Sequence, residues 1–190
     1  MNLPPLILAS ASPRRAELLR QLGLDFQVIS TDIAEIIDDQ LSPLELCQLN
    51  AHRKARVIAK KHPDALVLGA DTLVFLDDKI MGKPADLAEA QRMLARLQGR
   101  THRVVTGVSL IHLREYHERI FAASTDVTFH PLTAEQINLY LSKMNPLDKA
   151  GAYAIQEHGD TIVSAISGSF SNVVGLPLEQ LRAELSAWTA

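Results

Sequence analysis

Leu6-Ile7-Leu8-Ala9-Ser10-Ala11-Ser12-Pro13-Arg14-Arg15 is a short apolar run that breaks into small hydroxyl residues and then two arginines. The pattern predicts a buried strand turning into a helix. Ser12 is a good N-cap and Pro13 suits the first helical position, where its missing N–H costs nothing. Leu18, Leu19 and Leu22 supply an apolar stripe, and Gly23 marks the end of the helix. Arg14 and Arg15 break a local rule, because a cation in the first turn opposes the helix dipole by roughly 0.3–1 kcal/mol. An anion at that N-terminus would reverse the sign, since free N–H groups, two serine hydroxyls and two guanidinium forks all suit phosphate. Two solvated surface arginines would look the same by position alone.

Composition bounds the remainder. The 190 residues are 47% hydrophobic, enough to bury one substantial core without a disulfide or metal staple. A formal charge of -3, with no run of five like charges, argues against a general nucleic-acid or membrane binder, so any anion site must be local. Cys47 is the one cysteine, which permits no internal disulfide, and its place on a helical apolar face predicts a core thiol. No apolar run approaches the roughly 18 residues that cross a bilayer, and the chain is expected to be cytoplasmic.

Taken in order, Asp25 to Ser30 predicts a second strand, followed by acidic, turn-like residues up to Asp39 that include Glu35. Ser42-Pro43-Leu44-Glu45 is a capping box opening a helix to about Lys60, with Leu44, Cys47, Ala51, Ala55 and Ile58 as its stripe. Lys54 borders that stripe, so its stem can lie along the core while its ammonium reaches a cleft or plain solvent. Ala65 to Leu76 is the most hydrophobic segment and predicts a central strand, with Asp71 in its middle. A carboxylate there is costly unless it is paired, hydrogen-bonded or bound to a metal. Gly69 and Ala70 allow a close approach beside it. Asp77-Asp78 predicts a turn, and Lys83 lies in a loop between Gly82 and Pro84, either aimed at a ligand or simply exposed.

Asp86 and Glu89 cap a further amphipathic helix closed by Gly99, and His102 to Leu113 with Ile120 to His130 predict a long hairpin. Thr133 caps a helix that Asn145-Pro146 stops. Asp148 to Gln156 is expected to be a loop passing into a strand, Thr161 to Ile166 and Ser169 to Val174 two short strands, and Gly175-Leu176-Pro177 the start of a last helix. The chain has no G-x-x-x-x-G-K-[ST], G-x-G-x-x-G or G-x-S-x-G motif, and its seven histidines form no zinc pattern. What remains is Glu35 and Asp71 for a hard divalent ion and Arg14, Arg15, Lys54 and Lys83 for phosphates, a set suited to phosphoryl chemistry.

Ser10-x-Ser12-Pro13-Arg14-Arg15, Glu35, Lys54-Ala55, Gly69-Ala70-Asp71-Thr72, Gly82-Lys83-Pro84, Lys149-Ala150-Gly151-Ala152-Tyr153-x-Ile155-Gln156 and Ser171-Asn172-Val173-Val174-Gly175-Leu176-Pro177 together resemble the Maf family of nucleoside triphosphate pyrophosphatases. The resemblance spans nearly the whole chain. Glu157-His158-Gly159-Asp160 departs from it, standing where the family commonly has paired glycines. The resemblance implies an α/β fold with a central mixed, twisted sheet flanked by helices, two lobes and a cleft, in one Maf/ITPase-like domain over residues 1–190, and often a homodimer. It further implies cleavage between the α- and β-phosphates of a nucleotide, with Mg²⁺ or Mn²⁺ on Glu35 and Asp71. Asp71 would orient or deprotonate the attacking water, and Ser10, Ser12, Arg14, Arg15, Lys54, Thr72, Lys83, Lys149 and Gln156 would bind the substrate.

The family that this chain resembles looks divided into two branches, one acting on dTTP and UTP and one on 7-methyl-GTP. The second tends to carry an aromatic residue in place of Arg14, glutamine in place of Thr72 and glutamate in place of Gln156. This chain is similar to the first at all three positions. The amide of Gln156 offers both an acceptor and donors, which match N3–H and a ring carbonyl of thymine or uracil. Family members are also linked to septum formation, so a nucleotide-binding regulator of cell division is the alternative from a different class. A pure regulator would not need the metal pair.

Overall fold

The computed structural model describes residues 3–38, 40–77 and 79–188. Leu6–Leu8 forms strand β1 and Pro13–Arg20 helix α1, in the order predicted. Ser12 caps α1 by accepting the Arg15 N–H at 3.4 Å, and Gly23 turns the chain afterwards at a φ of +68°. Phe26–Val28 is β2, Pro43–Lys61 α2, Leu66–Leu76 β3 and Lys79–Met81 β4. Leu87–Leu97 is α3, Thr101–His112 β5, His117–Phe129 β6 and Ala134–Leu141 α4. Val163–Ser167 (β7), Phe170–Val174 (α5) and Leu178–Trp188 (α6) complete the order. The seven strands form one sheet in the order β2-β1-β3-β5-β6-β7, with β4 paired to β3. The sheet is mixed: β1 runs parallel to β2 and β3, whereas β3–β4 and β6–β7 are antiparallel.

The chain divides into two compact units. One takes the residues up to Thr72, Thr106–Ala123 and those from Gly175 onward. Its core includes Ile7, Ala9, Ala55, Ile58, Val67 and Ile111, and Cys47 is fully buried there as expected. Helix α2 approaches the backbone of β3 and β5 closely at two glycines, Gly69 and Gly107. A Cβ on Gly69 would stand 2.8 Å from Ala55 N, and one on Gly107 would strike the Cys47 carbonyl. The second unit comprises Leu73–Val105 and Ser124–Val174, around a core that includes Leu94, Leu97, Phe129, Tyr140 and Tyr153.

Several expectations are corrected. Ser169 to Val174 is not a strand. Gly168 takes a φ of +130°, Ser169 Oγ accepts the Asn172 N–H at 3.2 Å, and the chain turns into α5 despite its valines. Asp148 to Gln156 does not become a strand either, because Gly151 and Ala152 both adopt positive φ, +70° and +62°, and bend it into a 3₁₀ turn. Lys79–Met81, between the turn predicted at Asp77-Asp78 and the loop at Lys83, forms β4. Leu44 is exposed, and Leu46, Asn50 and Ala59 join the buried face of α2 instead. The second strand is shorter than Asp25 to Ser30, and α4 ends at Leu141, ahead of Asn145-Pro146. Asp39 and Asp78 lie outside the described residues.

Candidate functional site

Helix α1 presents its first turn to a set of neutral oxygens. Arg15 donates from Nε to Gly175 O at 2.9 Å, from Nη1 to Ser10 Oγ at 3.2 Å and from Nη2 to Thr72 Oγ1 at 2.9 Å. Ser10 Oγ also accepts the Ser12 N–H at 3.2 Å. A guanidinium carries five N–H donors, so one on each Nη remains for a ligand. Because neutral partners do not cancel its charge, Arg15 keeps the electrostatics of an anion site. Burial lowers its pKa from the usual arginine value, while the Asp71 and Glu35 carboxylates push the other way. Arg14 adds a second positive charge in the same turn, which itself contains no acidic residue.

Helix α2 builds the second half of the site. Asn50, Arg53 and Lys54 share one face, spaced three and four residues apart. Buried Asn50 accepts the Ile36 N–H at 2.8 Å and donates to Ile36 O at 3.0 Å. Arg53 Nη1 donates to Ala34 O at 2.8 Å. The two clamps hold the loop on either side of Glu35, and Lys54 Nζ then reaches Glu35 Oε1 at 2.7 Å and Asp71 Oδ1 at 2.6 Å. Lys54 therefore does not run out to solvent.

Asp71 is 2% exposed, in the middle of β3. Burial raises its pKa above the ordinary aspartate value and the neighbouring Glu35 charge adds to this, whereas Lys54 and Arg15 oppose it. Its Oδ2 is buried without a hydrogen-bond partner. Two carboxylates that already converge on one cation fit a divalent ion that also takes waters and phosphate oxygens. Among the described residues no group of three or more His, Cys, Asp or Glu side chains forms a closed metal cage.

Ser10, Ser12, Arg14, Arg15, Glu35, Lys54, Asp71 and Thr72 all belong to the first unit, as do Thr106 and the Gly175 carbonyl. The last two carry no charge and stand out in no motif of charged residues, and sequence reasoning missed their part. Thr106 did carry a signal, a hydroxyl inside the apolar run from Val104 to Val108, but threonine is too common in strands for it to count. Lys83, Lys149 and Gln156 belong to the second unit. Lys83 and Gln156 are exposed. Lys149 is buried, and its ammonium binds Asn145 O at 2.6 Å and Asp148 Oδ1 at 2.9 Å, with Glu157 at 3.5 Å. It thereby ties together the loop that ends beside Gln156.

The family model described as Maf-like protein matches residues 5–188. A protein of Symbiobacterium thermophilum named dTTP/UTP pyrophosphatase is 50% identical over 175 residues, covering 92% of this chain and 89% of its own. One of the same name from Akkermansia muciniphila is 45% identical over 179 residues, 94% of each. The solved structure of a HAM1 protein from Coxiella burnetii aligns with a TM-score of 0.57 at 20% identity, covering 97% of this chain and all of that one. The Staphylococcus aureus Ham1 protein aligns with a TM-score of 0.55 at 14% identity, over 96% of this chain and 98% of its own. Both likenesses concern the fold.

Proposed function

The chain belongs to the Maf family, and from that premise we propose that it is a nucleoside triphosphate pyrophosphatase acting on dTTP and UTP. It cleaves between the α- and β-phosphates to release the nucleoside monophosphate and pyrophosphate. One family model covers both compact units, which supports treating residues 1–190 as one functional domain. The relatives' names support the substrate, as do Arg14, Thr72 and Gln156. The observation that carries the reading is the juxtaposition of buried Asp71, bound to Lys54 and adjoining Glu35, with an Arg15 held only by neutral oxygens.

Arg15 holds the triphosphate through its two remaining N–H groups, and Arg14, Ser12 and the N-terminal amides of α1 add contacts of the same sense. Asp71 accepts the proton of the attacking water at Oδ2, an oxygen that has no other partner to give up. Its raised pKa makes it a stronger base than an exposed aspartate. Lys54 stabilises negative charge on phosphate oxygens as the substrate takes up its ammonium. Glu35 and Asp71 would hold Mg²⁺ or Mn²⁺, which when bound lowers the pKa of water and neutralises phosphate charge. Lys83, Lys149 and Gln156 join the substrate contacts on the strength of the family motif, Gln156 as the reader of the base. Cytoplasmic location and a homodimer belong to the same proposal.

The test is a panel of dTTP, UTP, CTP, ATP and 7-methyl-GTP assayed for pyrophosphate release with Mg²⁺ or Mn²⁺ and with EDTA. The expected result is preference for dTTP and UTP, abolished by EDTA and restored by either metal. Faster hydrolysis of 7-methyl-GTP would overturn the specificity, and undiminished activity in EDTA would remove Glu35 from its role.

A further inference from the structure

The three oxygens that hold Arg15 are not equally fixed. The Gly175 carbonyl is backbone, and Ser10 Oγ is pinned by the Ser12 N–H at 3.2 Å. Thr72 Oγ1 rests on a side chain that has three staggered wells. Its close partner is the hydroxyl of Thr106, at 3.0 Å, because Gly175 O lies at 3.5 Å and already accepts Arg15 Nε at 2.9 Å. Thr106 is itself enclosed. It is fully buried in β5, and the next residue, Gly107, presses on the backbone of α2 where a Cβ would strike Cys47.

We propose that Thr106 is a positioning residue for Arg15, acting through the hydroxyl of Thr72. Thr106 selects the Thr72 rotamer whose oxygen faces Arg15 Nη2 and so fixes the plane of the guanidinium and the direction of its two unused N–H groups. Planar recognition of phosphate depends on that direction, since a fork turned out of plane makes one bond where two were available. The inference rests on the phosphate role of Arg15 proposed above.

The experiment is a double-mutant cycle. Binding of a non-hydrolysable α,β-imido dTTP and of dTMP is measured by calorimetry for wild type, T106V, T106S, R15A and the T106V/R15A double variant. T106V keeps the shape and removes the hydroxyl. It should weaken triphosphate binding about five- to tenfold, the worth of roughly one hydrogen bond, and disturb dTMP less. T106S should stay within about twofold of wild type, and in the R15A background T106V should cost less than about twofold. A structural role alone would make the two losses multiply, and that result, or wild-type binding by T106V, would overturn the proposal. Unchanged triphosphate affinity in R15A would overturn the phosphate role of Arg15 and this proposal with it. If T106V does not fold, T106A replaces it in the same cycle.

Discussion

Lys54 Nζ stands 2.6 Å from Asp71 Oδ1, and this contact joins a cation on α2 to a carboxylate that β3 keeps 2% exposed. Neither charge is placed there by local propensity. Each makes the other tolerable in a setting where a lone buried charge would not be.

Lys54→Met should therefore cost about 3 kcal/mol, because it leaves Asp71 buried without its counter-ion. The double variant Lys54→Met/Asp71→Asn should recover most of that loss, since both charges are then gone. Urea unfolding of the two variants beside wild type checks this, and equal losses in both would contradict the pairing.

Asp71→Asn alone should reduce turnover by about 10²-fold or more while leaving a folded protein, because the shape is kept and the proton acceptor is lost. Circular dichroism and pyrophosphate release measured on the same preparation separate the two effects. Turnover within about threefold of wild type would be incompatible with a general base worth at least about 10²-fold.

The capping residues made α1, α2, α3 and α4 legible from sequence. Ser12-Pro13 and the Ser42/Glu45 box announce helix starts through side-chain bonds that involve only near neighbours, and both are found where expected. Asp71 was legible for the opposite reason, since its surroundings in sequence are so apolar that its charge had to be answered. What could not be read were features decided at long range. Helix α5 forms although Val173 and Val174 favour strand, because Asn172 Nδ2 donates to Val104 O at 3.1 Å and Thr125 Oγ1 at 2.9 Å and anchors the turn. Asn50 stands in no motif and outside the apolar stripe that the spacing predicts. Its partner, the backbone of Ile36, lies fourteen residues away across a loop of no regular pattern.

His102 carries a pH dependence of known sign. Burial pushes its pKa down to about 4 from 6.5. Nδ1 is buried without a hydrogen-bond partner, and Nε2 lies 2.8 Å from the Tyr153 hydroxyl. The unfolded chain takes up a proton as the pH falls through about 6.5, and the folded chain does so only near 4, so stability rises with pH across that interval and is flat in this respect above it. The full span is worth about 3 kcal/mol. His102→Gln should remove this contribution, read as the difference between wild-type and variant urea midpoints at pH 4.5 and pH 7.

Gly69→Ala should destabilise by about 3 kcal/mol or more, because the added Cβ would lie 2.8 Å from Ala55 N and meet the Ala51 carbonyl, both backbone groups that cannot swing aside. Gly23→Ala has open space around its Cβ and suffers only the strain of a φ of +68°, about 1 kcal/mol. Thermal melts of the pair should rank in that order.

Arg15 bonds to Gly175, a partner 160 residues away in the chain. During synthesis the hydroxyls of Ser10 and Thr72 are available long before that carbonyl exists. The guanidinium gains its third anchor only when the last stretch of chain has emerged and a loop of 160 residues has closed. Anchoring at the Arg15 Nε is in this sense a late event of folding, and a chain cut short before Gly175 would have the residues of the anion site without the contact that completes its arginine.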